Sequence, residues 1–163
     1  MAKKKTTKKA SAKKKPSKKA KAAPAKKRAA TVAKPGMLDR VSPGITANDL
    51  GKSLAWYRDV VGFAVAERWE QEGKLTGVRL KAGNVEFMVG QDDWKKGRDR
   101  KKGEGFRLYC MTTKDIDTLA NGIKARGGVL DHEPTDQPWG MRDFALTDPD
   151  GFKITIAKEI KKL

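Results

Sequence analysis

The chain is short of several things, and each shortage removes a class of protein. It has one cysteine, Cys110, and one histidine, His132. A single thiol excludes an intrachain disulfide and fits a reducing compartment. A lone histidine excludes the His-rich clusters that hold transition metals. No apolar run approaches the length of a membrane span, so no membrane partner is expected. Residues 1–36 contain no Asp, Glu, Phe, Trp or Tyr, and they lack the apolar stretch of a secretory signal. These shortages point to a cytoplasmic or nucleoid-associated protein.

What is abundant is lysine, unevenly placed. Of the 37 Lys and Arg residues in the 163-residue chain, 15 lie in residues 1–36. The remaining 22 face 20 acidic residues, so residues 37–163 are almost neutral. The chain therefore divides into a polycation, 1–36, and a domain, 37–163, long enough to bury a core. Like charges repel, Pro16, Pro24 and Pro35 interrupt any helix, and little apolar surface is available to bury, so the tail reads as disordered. Its Lys13-to-Ala20 phrasing resembles linker-histone and Lys/Ala-rich nucleoid-protein tails. The expected partner is DNA or RNA, held without sequence preference by Lys3, Lys4, Lys5, Lys13, Lys14, Lys15, Lys18, Lys19, Lys26, Lys27 and Arg28. Without aromatic side chains the tail has no platform for stacking on bases.

The domain repeats itself at a spacing of 66 residues. Asp49-Leu50 returns as Asp115-Ile116, and Gly62 returns as Gly128. Two copies of one supersecondary unit are the expected source. In the first, a strand near 40–47 leads to a helix near 50–61, with Leu50, Leu54, Tyr57 and Val61 on one apolar stripe. Asn48 or Asp49 caps this helix and Gly62 stops it. Strands follow near 64–70, 76–81 and 85–89. A polar loop, 90–105, precedes the second copy: a strand near 106–112, a helix near 115–126, and strands near 129–133, 142–146 and 152–157. The reading is α+β, two βαβββ modules (about 38–93 and 106–158) whose sheets curve around a cleft.

Two motifs carry a family resemblance. Ser53-Leu54-Ala55-Trp56-Tyr57-Arg58-Asp59-Val60-Val61-Gly62-Phe63 resembles the S-L-x-F-Y-x-D-x-L-G-F helix of the vicinal oxygen chelate superfamily. That superfamily includes glyoxalase I, bleomycin-resistance and extradiol-dioxygenase proteins. Pro138-Trp139-Gly140-Met141-Arg142-Asp143-Phe144, followed by Thr147-Asp148-Pro149-Asp150-Gly151-Phe152, resembles the closing segment of its bleomycin-resistance branch. The resemblance spans about residues 38–158. It implies the paired-module fold and a homodimer.

Enzymes of that superfamily hold a divalent metal with His and Glu, one ligand per cleft strand. Carried over, those positions fall on Ser42, Leu108 (beside Arg107 and Tyr109), Thr155, and Phe87 or, with a slip of one, Glu86. At best one carboxylate survives, so no catalytic residue and no cofactor is assigned. Cys110 reads as a buried thiol and His132 as a surface or hydrogen-bonded residue. The expected function is metal-free, non-catalytic binding of an unidentified small molecule, with the tail holding the protein on nucleic acid. Lining candidates are Trp69, Arg79, Glu86, Tyr109, Trp139, Met141, Arg142 and Phe144; each aromatic also reads as plain core. The loop from Trp94 to Lys102, with six cations, reads either as a second polyanion contact or as a solvated connection. Two other functions stay open: a metal-dependent lyase or dioxygenase, and a nucleic-acid-associated structural protein with a vestigial cleft.

Overall fold

The computed structural model describes residues 40–160; the Lys-rich tail and every nucleic-acid residue assigned to it lie outside that range. The first module contains β1 (Gly44–Ala47), α1 (Leu50–Ala55) continuing as a π-helical stretch over Trp56–Val61, β2 (Ala64–Gln71), β3 (Lys74–Ala82) and β4 (Val85–Gln91). The second contains β5 (Arg107–Met111), α2 (Ile116–Ala125), β6 (His132–Asp136), β7 (Met141–Thr147) and β8 (Lys153–Glu159). The sheets have strand orders β1-β4-β3-β2 and β5-β8-β7-β6. In each, the first and last strands pair in parallel and the others antiparallel. The α+β class and the βαβββ repeat are as the sequence implies.

The repeated aspartates start the helices. An Asp49 carboxylate oxygen accepts from the Lys52 amide at 3.0 Å, and one of Asp115 accepts from the Thr118 amide at 2.8 Å. Each satisfies an amide that the first helical turn leaves unpaired. The first helix ends at Gly62, whose φ of 101° suits glycine; its N–H reaches back five residues to the Tyr57 carbonyl at 3.0 Å. This wider final turn is the π-helical geometry.

Two boundaries differ from expectation. The first strand begins at Gly44 rather than near 40, because Pro43 has no N–H to give the ladder. The sixth begins at His132 rather than Val129. A Cβ on Gly128 would stand 2.9 Å from Val60, so the chain leaves α2 pressed against the first module. It meets β7 only when the Asp131 amide donates to the Ala145 carbonyl at 2.7 Å.

Strand alternation gives each sheet a helix-covered face and an open face. The covered faces hold the core: Ile45, Val78, Leu80, Phe87 and Val89 in one sheet, and Leu108, Phe144, Leu146 and Ile154 in the other, packed on Leu50, Leu54, Tyr57, Ile116 and Ile123. The modules are also tied by polar bonds. Buried Tyr57 donates its hydroxyl to Asp148 at 2.7 Å, and Ser53 donates to Asp150 at 2.6 Å. Arg126 of the second module donates to the Val60 carbonyl at 2.8 Å. Asp148 also accepts the Asp150 and Phe152 amides at 2.9 and 2.7 Å. The Asp-Pro-Asp-Gly segment is thus both a turn and the clasp on the first helix. Burial pushes the Asp148 carboxyl upward, while the Tyr57 bond opposes that shift.

Candidate functional site

On the open face of the first sheet two carboxylates already have cations. Glu67 sits between two partners: the Trp69 indole N–H donates to it at 3.0 Å, and Arg79 forms an ion pair with its other oxygen. The indole lies against Gly77, where an added Cβ would come within 2.7 Å of the ring. Farther along, Glu86 accepts from Arg40 at 2.8 Å and from Ser42 at 3.1 Å. These contacts hold the Glu86 carboxyl below its ordinary range, the Arg40 bond most of all.

The open face of the second sheet differs. Tyr109 and Thr155 are register partners on β5 and β8. Thr155 is buried and accepts from Arg107 at 2.8 Å. Around them Tyr109, Met111 and Trp139 are exposed by 48%, 53% and 53%, and Met141 is half-buried. Trp139 stands in the bend that Gly140, with φ of 84°, closes.

Three sequence expectations need correcting. Leu108 is a core residue paired with Ile154 on the covered face. The open-face partner of Thr155 is Tyr109, so the resemblance's β5 position moves by one residue. Phe144 is fully buried on the covered side of β7. Arg142 shares that side: it grips Asp117 of α2 through two bonds of 2.8 Å and Asp136 through one of 2.7 Å. Its guanidinium is engaged within the second module, and these bonds push its already high pKa upward.

The expected lining residues therefore form two sets. Trp69, Arg79 and Glu86 lie on one open face, with Ser42; Tyr109, Trp139 and Met141 lie on the other, with Thr155. Among the described residues no hydrogen bond or ion pair joins the sets. The groove between the modules within one chain, about 770 Å³, is lined by others, including Val61, Phe63, Val85, Cys110, Leu119 and Ile156. Cys110 is half-buried there, and burial pushes its thiol upward, which disfavours the reactive thiolate. His132 is half-buried, with its Nδ1 3.1 Å from the Glu133 carbonyl.

The donor set does not fit a divalent metal. The four strand positions offer Ser42, Glu86, Tyr109 and Thr155, one carboxylate and three hydroxyls, and the carboxylate is taken by Arg40 and Ser42. Among the described residues no three His, Cys, Asp or Glu side chains converge as a ligand set. Such a metal needs several anionic or imidazole donors at one point.

The connecting loop is partly built in rather than freely solvated. Asp92 is buried and pairs with Arg100 and with Lys102, the latter at 2.7 Å. The Lys102 side chain is only 1% exposed, and its ammonium also donates to the Thr46 carbonyl at 3.2 Å. Those cations and the Trp94 amide hold the Asp92 carboxyl well below the usual range, the Lys102 bond first. Trp94 lies under the Arg98 guanidinium, 4.5 Å from its centre. Sequence reasoning missed Asp92, the Tyr57–Asp148 clasp and the Glu67 bridge; the Asp92-Asp93 pair before a basic loop was the one available signal.

A fold of two βαβββ halves with this helix and this closing turn defines a class. Residues 38–156 match the Glyoxalase/Bleomycin resistance protein/Dioxygenase superfamily, and the chain belongs to that superfamily. A Synechocystis protein named "Probable lactoylglutathione lyase" is 28% identical over 125 residues, covering 72% of this chain and 93% of that protein. A Geobacillus stearothermophilus "Bleomycin resistance protein" is 28% identical over 131 residues, covering 73% and 96%. The crystal structure of a superfamily member from Sphaerobacter thermophilus superposes with a TM-score of 0.61 at 25% identity, covering 76% of this chain and 99% of that one.

Proposed function

We propose that this protein binds a small molecule without transforming it, in a cleft that two copies build together, while its Lys-rich tail holds it on nucleic acid. The observation that carries the reading is the contrast at the four strand positions. Where chemistry would need free donors, one carboxylate is neutralised by Arg40 and the rest are hydroxyls. Around them lie the flat and flexible side chains that suit recognition, Trp69, Tyr109, Met111, Trp139 and Met141. The resemblance to bleomycin-resistance proteins supports the binding reading.

A second copy supplies what one chain lacks. Tyr109 and Met111 at β5 and Trp139 in the β6–β7 turn are large exposed apolar side chains, of the kind that interaction surfaces gather. Setting the second-sheet face of one copy on the first-sheet face of another covers them and unites the two sets of lining residues. The tail adds a separate attachment whose affinity falls steeply with salt.

Ligand-dependent quenching of tryptophan fluorescence tests the binding reading, with Trp139→Phe identifying the reporter. Two relatives named as lactoylglutathione lyases make a metal-dependent lyase the rival reading. Metal analysis of wild type and Glu86→Ala decides between them: a stoichiometric divalent metal lost in the variant would replace binding with catalysis. A gel shift with residues 1–36 deleted tests the tail; retardation should be lost.

A further inference from the structure

The heads of β5 and β8 set two cations side by side. Arg107 and Lys153 are register partners on neighbouring parallel strands, both exposed and both on the open face. Like charges placed opposite one another in a sheet are destabilising. Among the described residues neither has a carboxylate within ion-pair distance, although thirteen such pairs form elsewhere. The hydrogen bond that Arg107 makes goes to the hydroxyl of buried Thr155 at 2.8 Å. It fixes one edge of the guanidinium and leaves the rest of the fork open.

The pair walls a pocket of about 490 Å³ at that end of the sheet. Gly103, Gly105 and Gly151 line it with bare main chain, at φ of 74°, 70° and 95°. A Cβ on Gly103 would collide with the Gly151 carbonyl, so the loop and the β7–β8 turn meet with no side chain between them. The neighbouring charge is also positive: one carboxylate, Asp92, serves both Arg100 and Lys102, and the buried Nε of Arg100 has no partner among the described residues. Glu104, the acid in the pocket wall, stands 3.8 Å from Lys101.

We propose that Arg107 and Lys153 form a binding site for the oxyanion of a small molecule, a carboxylate or a phosphate monoester. An anion between the two cations removes their repulsion, and the free edge of the guanidinium matches two oxygens of one planar or tetrahedral group. The pocket suits a compact anion, since both cations line one small pocket rather than a polymer track. Every residue of the site comes from one chain, at one end of the open face that the proposed second copy covers, and the anion titration reads it without reference to the cleft's own ligand.

The test is amide NMR of the full chain, titrated with sodium phosphate and, separately, sodium acetate, at constant ionic strength set with chloride. Saturable movement of the Gly103, Gly105 and Gly151 amides with either anion is expected. Lys153→Gln and Arg107→Gln should each weaken it at least tenfold, about the worth of one charge-assisted hydrogen bond. Arg107→Lys, which keeps the charge and loses the fork, should fall between. Lys153 is exposed, so its variant should leave the rest of the spectrum in place. The proposal is overturned if these amides stay still with both anions, if Lys153→Gln titrates like wild type, or if a short DNA duplex moves them where the small anions do not.

Discussion

The two open faces share one repeated strand pattern and differ in how complete they are. On the first module's open face Glu67 is paired with Arg79, and Glu86 with Arg40. In the second, Arg107 and Lys153 have no acid, and Tyr109, Met111 and Trp139 have no cover. Both modules fold by the same devices, a capping Asp, a helix-stopping Gly and four strands in one order. The proposed second copy accounts for the difference, since both modules fold alike. A closed face with internal pairs suits a wall of fixed shape, while an unpaired face suits a partner and a ligand.

The comparison breaks first if covered and open faces are confused. Phe144→Ala should cost about 3–5 kcal/mol, since it empties a fully buried site. Thermal or urea unfolding measures it; a loss under about 1 kcal/mol would put Phe144 outside the core. Next in size is the clasp. Tyr57→Phe removes the bond to buried Asp148 and should cost about 1–3 kcal/mol at neutral pH. Burial raises the Asp148 carboxyl in the folded state, and the Tyr57 hydroxyl favours its ionised form. Between the unfolded and folded values the native state holds the extra proton, so this group's contribution to stability falls as pH rises through that window. Removing the hydroxyl should widen the window, and the cost of Tyr57→Phe should shrink as the solution is acidified below it. Urea unfolding of wild type and variant across pH measures this; a cost independent of pH contradicts it.

A smaller effect sharpens the account of the first face. Gly77→Ala should displace the Trp69 ring and cost about 1–2 kcal/mol, as overpacking does. A change in tryptophan emission should accompany it. An unchanged spectrum and stability would mean the indole does not rest on that glycine. Smallest for folding is Met111→Ala on the second face: under about 0.5 kcal/mol to the single chain, as for surface positions generally.

Much of this was legible in the sequence for physical reasons. Caps, stops and strand periodicity are local, so Asp49, Asp115, Gly62 and the Asp-Pro-Asp-Gly turn announced themselves. Side-chain direction was less secure. A one-residue slip reverses a strand's face, so Leu108 stood in for Tyr109, and Arg142 and Phe144 looked toward the groove instead of α2 and the core. Long-range pairs left no local trace. Nothing near Tyr57 names Asp148, 91 positions away, and nothing near Asp92 says that Lys102 will turn inward rather than into solvent. The unmatched pair Arg107 and Lys153 became visible only once β5 and β8 were adjacent.

The central claim is that the second module's open face is built for a second copy and the ligand they share. Sedimentation of wild type and Met111→Glu tests it most directly, with unfolding measured on both. The account predicts a wild-type dimer and a monomeric variant that unfolds as one intact domain. A wild type that stays monomeric at high concentration, or a variant that remains fully dimeric, would contradict it.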